Sequence, residues 1–214
     1  MTLISPAWTI WFDPASTLKR LVHENPGYGL LVLPILAGFT VSPTATYWFG
    51  DGNLVPLGYV WGSLLSFGPL LELLQVFVGA WWLRLIGLRF GGRADTSSIQ
   101  TVVAWSCAPL VVLLLLNVFI FLLTGALADI QAEFGGGQPS AVVAILLLGI
   151  ELTVIVCSFN ILVRGLAAVQ GFSIRRALLS VVALWTAGLV FLLLITLIFS
   201  DTILLTPLLF GGMT

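Results

Sequence analysis

Two glutamates lie inside apolar stretches of the sequence, where a carboxylate is costly. Glu72 occurs in "GPLLELLQVFVG" and Glu151 in "GIELTVIV". A polar side chain follows on the same helical face in each case, Gln75 after Glu72 and Ser158 after Glu151. Ionisable groups within membrane helices often mark proton or substrate pathways. These four residues form a candidate intramembrane polar site, with a titratable or substrate-coordinating role.

A structural role for the two glutamates stays open beside the functional one. At that depth an unpaired carboxyl is expected to be protonated, because hydrocarbon disfavours its charge, and it could donate one hydrogen bond that ties helices together. The pair has no histidine, cysteine or second carboxylate as an evident neighbour, so no metal centre is expected. The motifs G-x-S-x-G, H-E-x-x-H and the P-loop are missing. We therefore predict no catalytic residues, no enzymatic activity and no cofactor.

The composition indicates the class of protein that carries this pair. Charged residues make up 8% of the 214 residues, hydrophobic residues 59%, and the mean hydropathy is +1.14. A soluble domain has about a quarter of its residues charged, and the apolar stretches here exceed the ~20 residues that a helix needs to cross a bilayer. A net charge of −1 offers no basic field for nucleic acid. We predict an all-α, polytopic membrane protein with five transmembrane helices, at about 28–48, 58–90, 99–125, 141–169 and 176–200.

The N-terminal residues 1–27 are predicted to form a cytoplasmic or interfacial segment that contains a short amphipathic helix. Asp13 can cap this helix and Pro14 suits its first position. Its apolar face consists of Leu18, Leu21 and Val22. The helix is too short to span a bilayer, so we expect it to lie along the membrane surface. Residues 28–200 then form the transmembrane domain, and 201–214 a non-cytoplasmic tail.

The basic residues predict the orientation. All eight fall in the N-terminal segment, or at the connection between the second and third spans or the one between the fourth and fifth spans. They are Lys19, Arg20, Arg84, Arg89, Arg93, Arg164, Arg175 and Arg176. By the positive-inside rule, the N-terminus is cytoplasmic and the C-terminus is outside, in a bacterial inner membrane. Six of them are candidate contacts for anionic lipid headgroups, namely Lys19, Arg20, Arg89, Arg93, Arg175 and Arg176. Topology signalling alone is the other interpretation.

An internal repeat relates the second and third predicted spans to the fourth and fifth. A shift of 79 residues aligns Glu72 with Glu151 and Gly92 with Gly171. The two units run in the same direction across the membrane. The shift also aligns two pairs of small residues, Ala104 and Ala108 with Ala183 and Ala187. Because small residues permit close helix approach, the repeat predicts that spans three and five pack through these faces.

Three stretches of the chain resemble the Yip family, the Ypt/Rab-GTPase-interacting membrane proteins, in its bacterial form. They are "WFDPASTLKRLV", "LRFGGRADTSSIQTVVAWSCAPLV" and "VQGFSIRRALLSVV". The resemblance covers roughly 10–200 and implies five spans and no enzymatic activity. The eukaryotic members of this family act in vesicle trafficking, through GTPases and through other members of the family. That partner is not expected to carry over, because few residues precede the first predicted span.

These features support two principal hypotheses. The first is a non-enzymatic integral membrane protein of Yip type that organises or adapts partners in the lipid bilayer, either another membrane protein or a second copy of itself. The alternative is a transporter or a proton-coupled carrier subunit that uses the Glu72 and Glu151 pair. A third hypothesis, lipid handling at the inner leaflet, depends only on the six basic residues that are candidate headgroup contacts.

Overall fold

The computed structural model describes residues 4–40, 68–119 and 141–210, and the described residues form helices and turns without a strand. The helices are α1 (Ile4–Thr9), α2 (Pro14–Glu24), α3 (Val32–Gly38), α4 (Gly68–Arg89), α5 (Thr96–Phe119), α6 (Ala141–Gln170) and α7 (Ile174–Phe210). Four of them, α4 to α7, are long and apolar enough to cross a membrane. The prediction of an all-α polytopic membrane protein is confirmed.

The last two predicted spans correspond to single helices. The span predicted at 141–169 is the helix Ala141–Gln170. The span predicted at 176–200 begins at Ile174 and continues to Phe210, well past its predicted end. Its sequence from Ser200 to Phe210 contains no glycine, and a Gly-Gly pair follows directly. The last helix therefore includes most of the segment predicted as a tail.

The first three predicted spans are only partly described. Within 28–48, the described residues form turns and the short helix Val32–Gly38, and 41–67 lie outside the described residues. The predicted second span contributes α4, which is described from Gly68 onward. The third begins at Thr96 and is described as far as Phe119. The count of five spans stays a prediction.

Two glycines end the helices that lead into the short connections. Gly91 has a φ of 83° and Gly171 a φ of 72°, both in the left-handed region. The next residue in each turn donates its N–H to a carbonyl five residues back, Gly92 to Gly87 at 2.8 Å and Phe172 to Ala167 at 3.3 Å. This is the Schellman helix ending. The two connections thus share one geometry, although the equivalent of Gly171 is Gly91 and not the predicted Gly92. The duplication itself stays a prediction.

Helix α5 is capped by an aspartate. Asp95 occupies the cap position, and its carboxylate accepts the N–H of Ser98 at 3.2 Å. Aspartate is at least as good a cap as serine or threonine, because its ionised oxygens also favour the positive end of the helix dipole.

Helix α2 has an apolar face, but this face does not lie open to lipid. Leu18 and Leu21 are fully buried, and α2 packs against α6 and α5. The contact is close because α6 carries a glycine, Gly165, opposite Leu18. Side chains of helices α5 and α6 therefore cover the face that was expected to meet the membrane surface. Placement of α2 in the headgroup layer stays a prediction, consistent with the exposed aromatic side chains beside it, Trp8, Trp11 and Phe12.

The stability that the N-cap of α2 contributes should depend on pH. Asp13 accepts hydrogen bonds from the hydroxyl of Ser16 at 2.6 Å and from its N–H at 3.2 Å. These bonds lower the pKa of Asp13 below its ordinary value of 3.8. The pKa of Asp13 is lower in the folded than in the unfolded protein. The cap therefore stabilises the fold above the unfolded-state pKa, and this stabilisation is lost as the pH falls through the folded-state pKa.

We expect Asp13→Ala to accelerate hydrogen exchange at the Ser16 amide at pH 7, while Asp13→Asn, which also caps well, stays close to the wild type. Acidification through the folded-state pKa of Asp13, which lies below 3.8, should open the cap in the wild type and leave the Asn variant unchanged. Exchange measured by mass spectrometry in detergent micelles tests both points. Equal exchange in the Ala variant and the wild type would contradict the capping role.

Helix α5 supplies the centre of the core, and α7 packs through a face other than the predicted one. Ala104 is fully buried, whereas Ala183 and Ala187 are exposed. Helix α7 instead buries Ala177, Ser180 and Val181 and packs on α4 and α6. The predicted packing of spans three and five through matching alanines is therefore wrong. Position 183 lies about 200° around the helix from Val181, on the opposite side.

Candidate functional site

Glu72, near the described start of α4, lies opposite a cysteine in the middle of α5. The Sγ of Cys107 lies 3.8 Å from Oε2 of Glu72, within reach of a weak S–H donor. Cys107 is only 2% exposed, and Glu72 is half-buried. The prediction that the glutamate has no cysteine neighbour is wrong for Glu72. Because a thiol is a weak donor, the carboxyl keeps capacity for a stronger partner.

Both helices are irregular at this contact. Directly after Glu72, α4 contains the π-helical turn Gln75–Gly79. On the facing helix, Cys107 forms a turn two residues before Pro109, which has no N–H to continue the helical ladder. Irregular turns of this kind occur frequently at functional positions of helices. Glu72 therefore belongs to a part of the bundle where the backbone departs from regular α-helix on both sides.

The second glutamate is buried but does not pair with the first. Glu151 is 9% exposed, and among the described residues the hydrogen-bond partner of Glu72 is Cys107. The depths of the two carboxyls are nevertheless similar. Leu184 of α7 lies opposite Gly79, and the adjacent Trp185 packs against Phe159 with ring centroids 5.5 Å apart. Glu72 precedes Gly79, and Glu151 precedes Phe159, by about two helical turns on helices that run toward the same end.

A cleft of about 400 Å³ lies between the four membrane helices, beside the π-helical turn. It is lined by Gln75, Gly79, Leu83, Val103, Leu162, Leu184, Trp185 and Gly188. Gln75 is exposed, so this predicted site residue provides the one amide of an otherwise apolar lining. Ser158 lies one turn before Leu162, and its buried Oγ has no hydrogen-bond partner among the described residues. The four predicted site residues are thus spread over the centre of the bundle and do not converge on one point.

The basic residues predicted to contact headgroups are all exposed and lie toward the end of the bundle that carries the short connections: Lys19, Arg20, Arg89, Arg93, Arg175 and Arg176. The two connections touch each other there, since the N–H of Arg93 donates to the carbonyl of Gln170 at 3.4 Å. Arg176 donates from Nη1 to the carbonyl of Phe90 at 3.2 Å, which places a cation at the C-terminal end of α4. The arginines of both connections therefore form one exposed basic end.

Gln170 joins the two helical hairpins, α4–α5 and α6–α7. This role was not predicted from the sequence. Gln170 is 3% exposed and donates from Nε2 to the carbonyl of Leu83 at 3.4 Å. Its side chain occupies a notch that exists only because positions 87 and 92 are glycines, since a Cβ at either would collide with the Gln170 amide. A polar residue at the last position of α6, after a long apolar run, is the sequence signal that could have indicated this role.

A stripe with three polar side chains, Thr153, Asn160 and Arg164, runs along the exposed surface of α6 and was also missed. Gly149 and Val156 complete it. These residues recur at helical spacing on one face, and every one is exposed. Asn160 lies within the membrane-spanning segment Ile145–Gln170, and its exposed amide has no hydrogen-bond partner among the described residues. We name this surface the Asn160 stripe.

The arrangement offers hydrogen-bonding groups and basic charge, and the described residues hold no group of three histidine, cysteine or acidic side chains that could ligate a metal. These residues offer recognition by helix packing, by charge or by a carboxyl within a membrane helix.

Comparison with known proteins gives one match. A sequence profile of the Yip1 domain matches residues 8–195, which is most of the chain and includes α2, α4, α5 and α6. The match contains all three stretches on which the resemblance to the Yip family depends, so that prediction is confirmed. No curated protein and no solved structure matches the chain. The Yip1 family is known as a family of non-enzymatic membrane proteins. With its four long apolar helices and a Yip1 domain over most of its length, the chain belongs to the Yip1 family of multi-pass membrane proteins.

Proposed function

We propose that this chain is a non-enzymatic membrane protein of the bacterial inner membrane that organises other membrane proteins by binding their helices along the Asn160 stripe. The observation that carries the proposal is the exposed amide of Asn160 within a membrane-spanning helix. An amide exposed to hydrocarbon without a partner is costly. A partner helix that offers a polar group would remove this cost.

The rest of the stripe has the properties of a helix-packing surface. Gly149 has open space around it, since a Cβ there would meet no atom within 4 Å. The hydroxyl of Thr153 bonds to the carbonyl of Gly149 at 2.8 Å, so this side chain adds little bulk and no unpaired donor. Small residues of this kind let a second helix approach closely, and Asn160 would then fix the register by a hydrogen bond. The partner is another membrane protein or a second copy of the chain.

The charge distribution supports an orientation for this role. All eight basic residues lie toward the end that holds the two short connections and α2. By the positive-inside rule, that end, and with it the N-terminus, is cytoplasmic. In this orientation Arg164, the last residue of the Asn160 stripe, reaches toward the inner headgroups while Asn160 lies one turn deeper.

Substitution of Asn160 tests the proposal. The chain is purified in a mild detergent from native membranes, and bound proteins are quantified by mass spectrometry. Asn160→Leu should weaken the binding of a membrane partner about 5- to 30-fold, which corresponds to the loss of one interhelical hydrogen bond worth about 1–2 kcal/mol. Ile155→Leu, on another exposed face of α6, should leave binding unchanged. A chain that purifies as a monomer without partners, or an Asn160→Leu variant that keeps its partner in full, would contradict the proposal.

A carrier function is the second candidate, and the contact of Glu72 with Cys107 beside the π-helical turn favours it. In that case Glu72→Gln and Glu151→Gln should each abolish a pH-dependent flux into proteoliposomes, monitored with an enclosed pH-sensitive dye. Glutamine keeps the shape of the side chain and removes its titration. If both variants retain the flux and differ from the wild type only in thermal stability, the glutamates are structural.

A further inference from the structure

We propose that the cleft between α4 and α7 holds an acyl chain of an anionic phospholipid, whose phosphate lies against the arginines at the nearby ends of the same helices. This inference goes beyond the proposed function and does not depend on it, because the cleft and the Asn160 stripe are different surfaces. The contacts of the cleft, its depth and the charge at its end each support it.

The cleft is shaped by two glycines and is open on the side where lipid would lie. Gly79 and Gly188 lie on the facing walls of α4 and α7, and a Cβ on Gly188 would meet no atom within 4 Å. Trp185, at the rim, is 59% exposed. The volume of about 400 Å³ falls in the range of small-molecule sites, roughly 300–1,000 Å³. Apart from Gln75 the lining side chains are apolar, as a hydrocarbon chain requires.

The position of the cleft along α4 matches the acyl layer of one leaflet. Leu83 is six residues from Arg89 and Gln75 is fourteen, which is about 9 Å and 21 Å at 1.5 Å per residue. From the outer edge of the headgroups to the bilayer midplane is about 20–22 Å. With Arg89 in the headgroup layer, the cleft therefore extends from just below the headgroups to the midplane.

The charge at this end of the helices selects the headgroup. Arg89, Arg93 and Arg175 are exposed, and none forms an ion pair with any residue in the described ranges. Arg176 remains exposed although it donates to the carbonyl of Phe90. Asp95, the acidic residue of the same connection, is engaged at the cap of α5. Guanidinium groups bind phosphate with paired hydrogen bonds. An anionic phospholipid has no choline cation to be repelled by these arginines, so its net charge favours it over a zwitterionic phospholipid at this end.

The test uses photoactivatable lipids with a diazirine in the acyl chain. The full chain is reconstituted into vesicles that contain either the phosphatidylglycerol probe or the phosphatidylcholine probe, irradiated and digested, and the labelled peptides are identified by mass spectrometry. The phosphatidylglycerol probe should label peptides around 75–83 and 184–188 at least fivefold more than the phosphatidylcholine probe. Gly188→Leu, which fills the cleft, should remove most of this labelling. Ala187→Leu, one position earlier and exposed outside the cleft, should not.

The headgroup is tested with the double variant Arg89→Gln and Arg175→Gln, which should reduce labelling by phosphatidylglycerol to the level of phosphatidylcholine. Equal labelling by both probes in the wild type would overturn the proposal, as would labelling spread evenly over the helices and unchanged in Gly188→Leu. A dimer seen by size-exclusion chromatography with light scattering and lost in Gly188→Leu would also overturn it, because a second copy would then occupy the cleft.

Discussion

Gly165→Leu is expected to separate α2 from the membrane helices and to lower the free energy of unfolding by about 3 kcal/mol. A Cβ on Gly165 would lie 2.9 Å from Cγ1 of Val102 and closer still to the side chain of Leu18. Leu18 is fully buried and cannot move aside without leaving the core. Among the described residues α2 packs on α5 and α6 through this face, so the added side chain displaces the whole helix.

A matched glycine of the same helix provides the control for this variant. Gly149→Leu introduces the same side chain where a Cβ meets no neighbour, so it gains the same helix propensity of roughly 1 kcal/mol without a clash. The difference between the two variants in denaturant titration therefore isolates the packing of α2. Trypsin should also cleave after Lys19 and Arg20 much faster in Gly165→Leu than in Gly149→Leu. Equal stability and equal cleavage would contradict the close contact of α2 with α6.

Gly68→Val is expected to have an effect at least as large, about 3 kcal/mol or more. A Cβ on Gly68 would lie against the carbonyl of Gly38 in α3, and a Cβ on Gly38 would lie against the backbone of Pro69. These are backbone-to-backbone contacts, so no side chain can rotate away to make room. The two helices must separate, and the van der Waals contacts that hold them are lost.

A double-mutant cycle shows whether the two glycines act on one contact. Gly38→Ala and Gly68→Ala should each lower the thermal midpoint in detergent, and the double variant should cost clearly less than the sum of the two, because either substitution already separates the helices. Additive losses would mean that the glycines serve separate contacts. Gly188→Ala, in open space, serves as the reference for glycine replacement in a membrane helix.

Local chemistry made much of the fold predictable. Apolar length identified α6 and α7, and the Asp13-Pro14 pair identified the start of α2. Each of these signals depends on a few consecutive residues and on rules of helix ends or bilayer thickness. The cap of α5 shows the limit of such rules. Asp95 and the following Thr96 are both good caps, and the sequence does not show which of them begins the helix.

The packing was much less predictable, because leucine and valine cover every face of a membrane helix. In water the buried face is marked by apolar residues, but in lipid both faces are apolar. The stripe of Ala183 and Ala187 was therefore indistinguishable from the truly buried stripe that contains Val181. The contact of Glu72 with Cys107, 35 residues away, lies beside the π-helical turn of α4. A turn of that kind leaves no mark in the residue pattern.

The notch that receives Gln170 links three positions in two separate parts of the chain. Any side chain at position 87 or 92 would occupy the volume that the Gln170 amide now fills. In homologous chains, the residue at 170 should therefore become shorter whenever either glycine is replaced, and keep its length when both are retained. The contact between the hairpins would then appear in homologous sequences as correlated substitutions between position 170 and positions 87 and 92, which lie about 80 residues away.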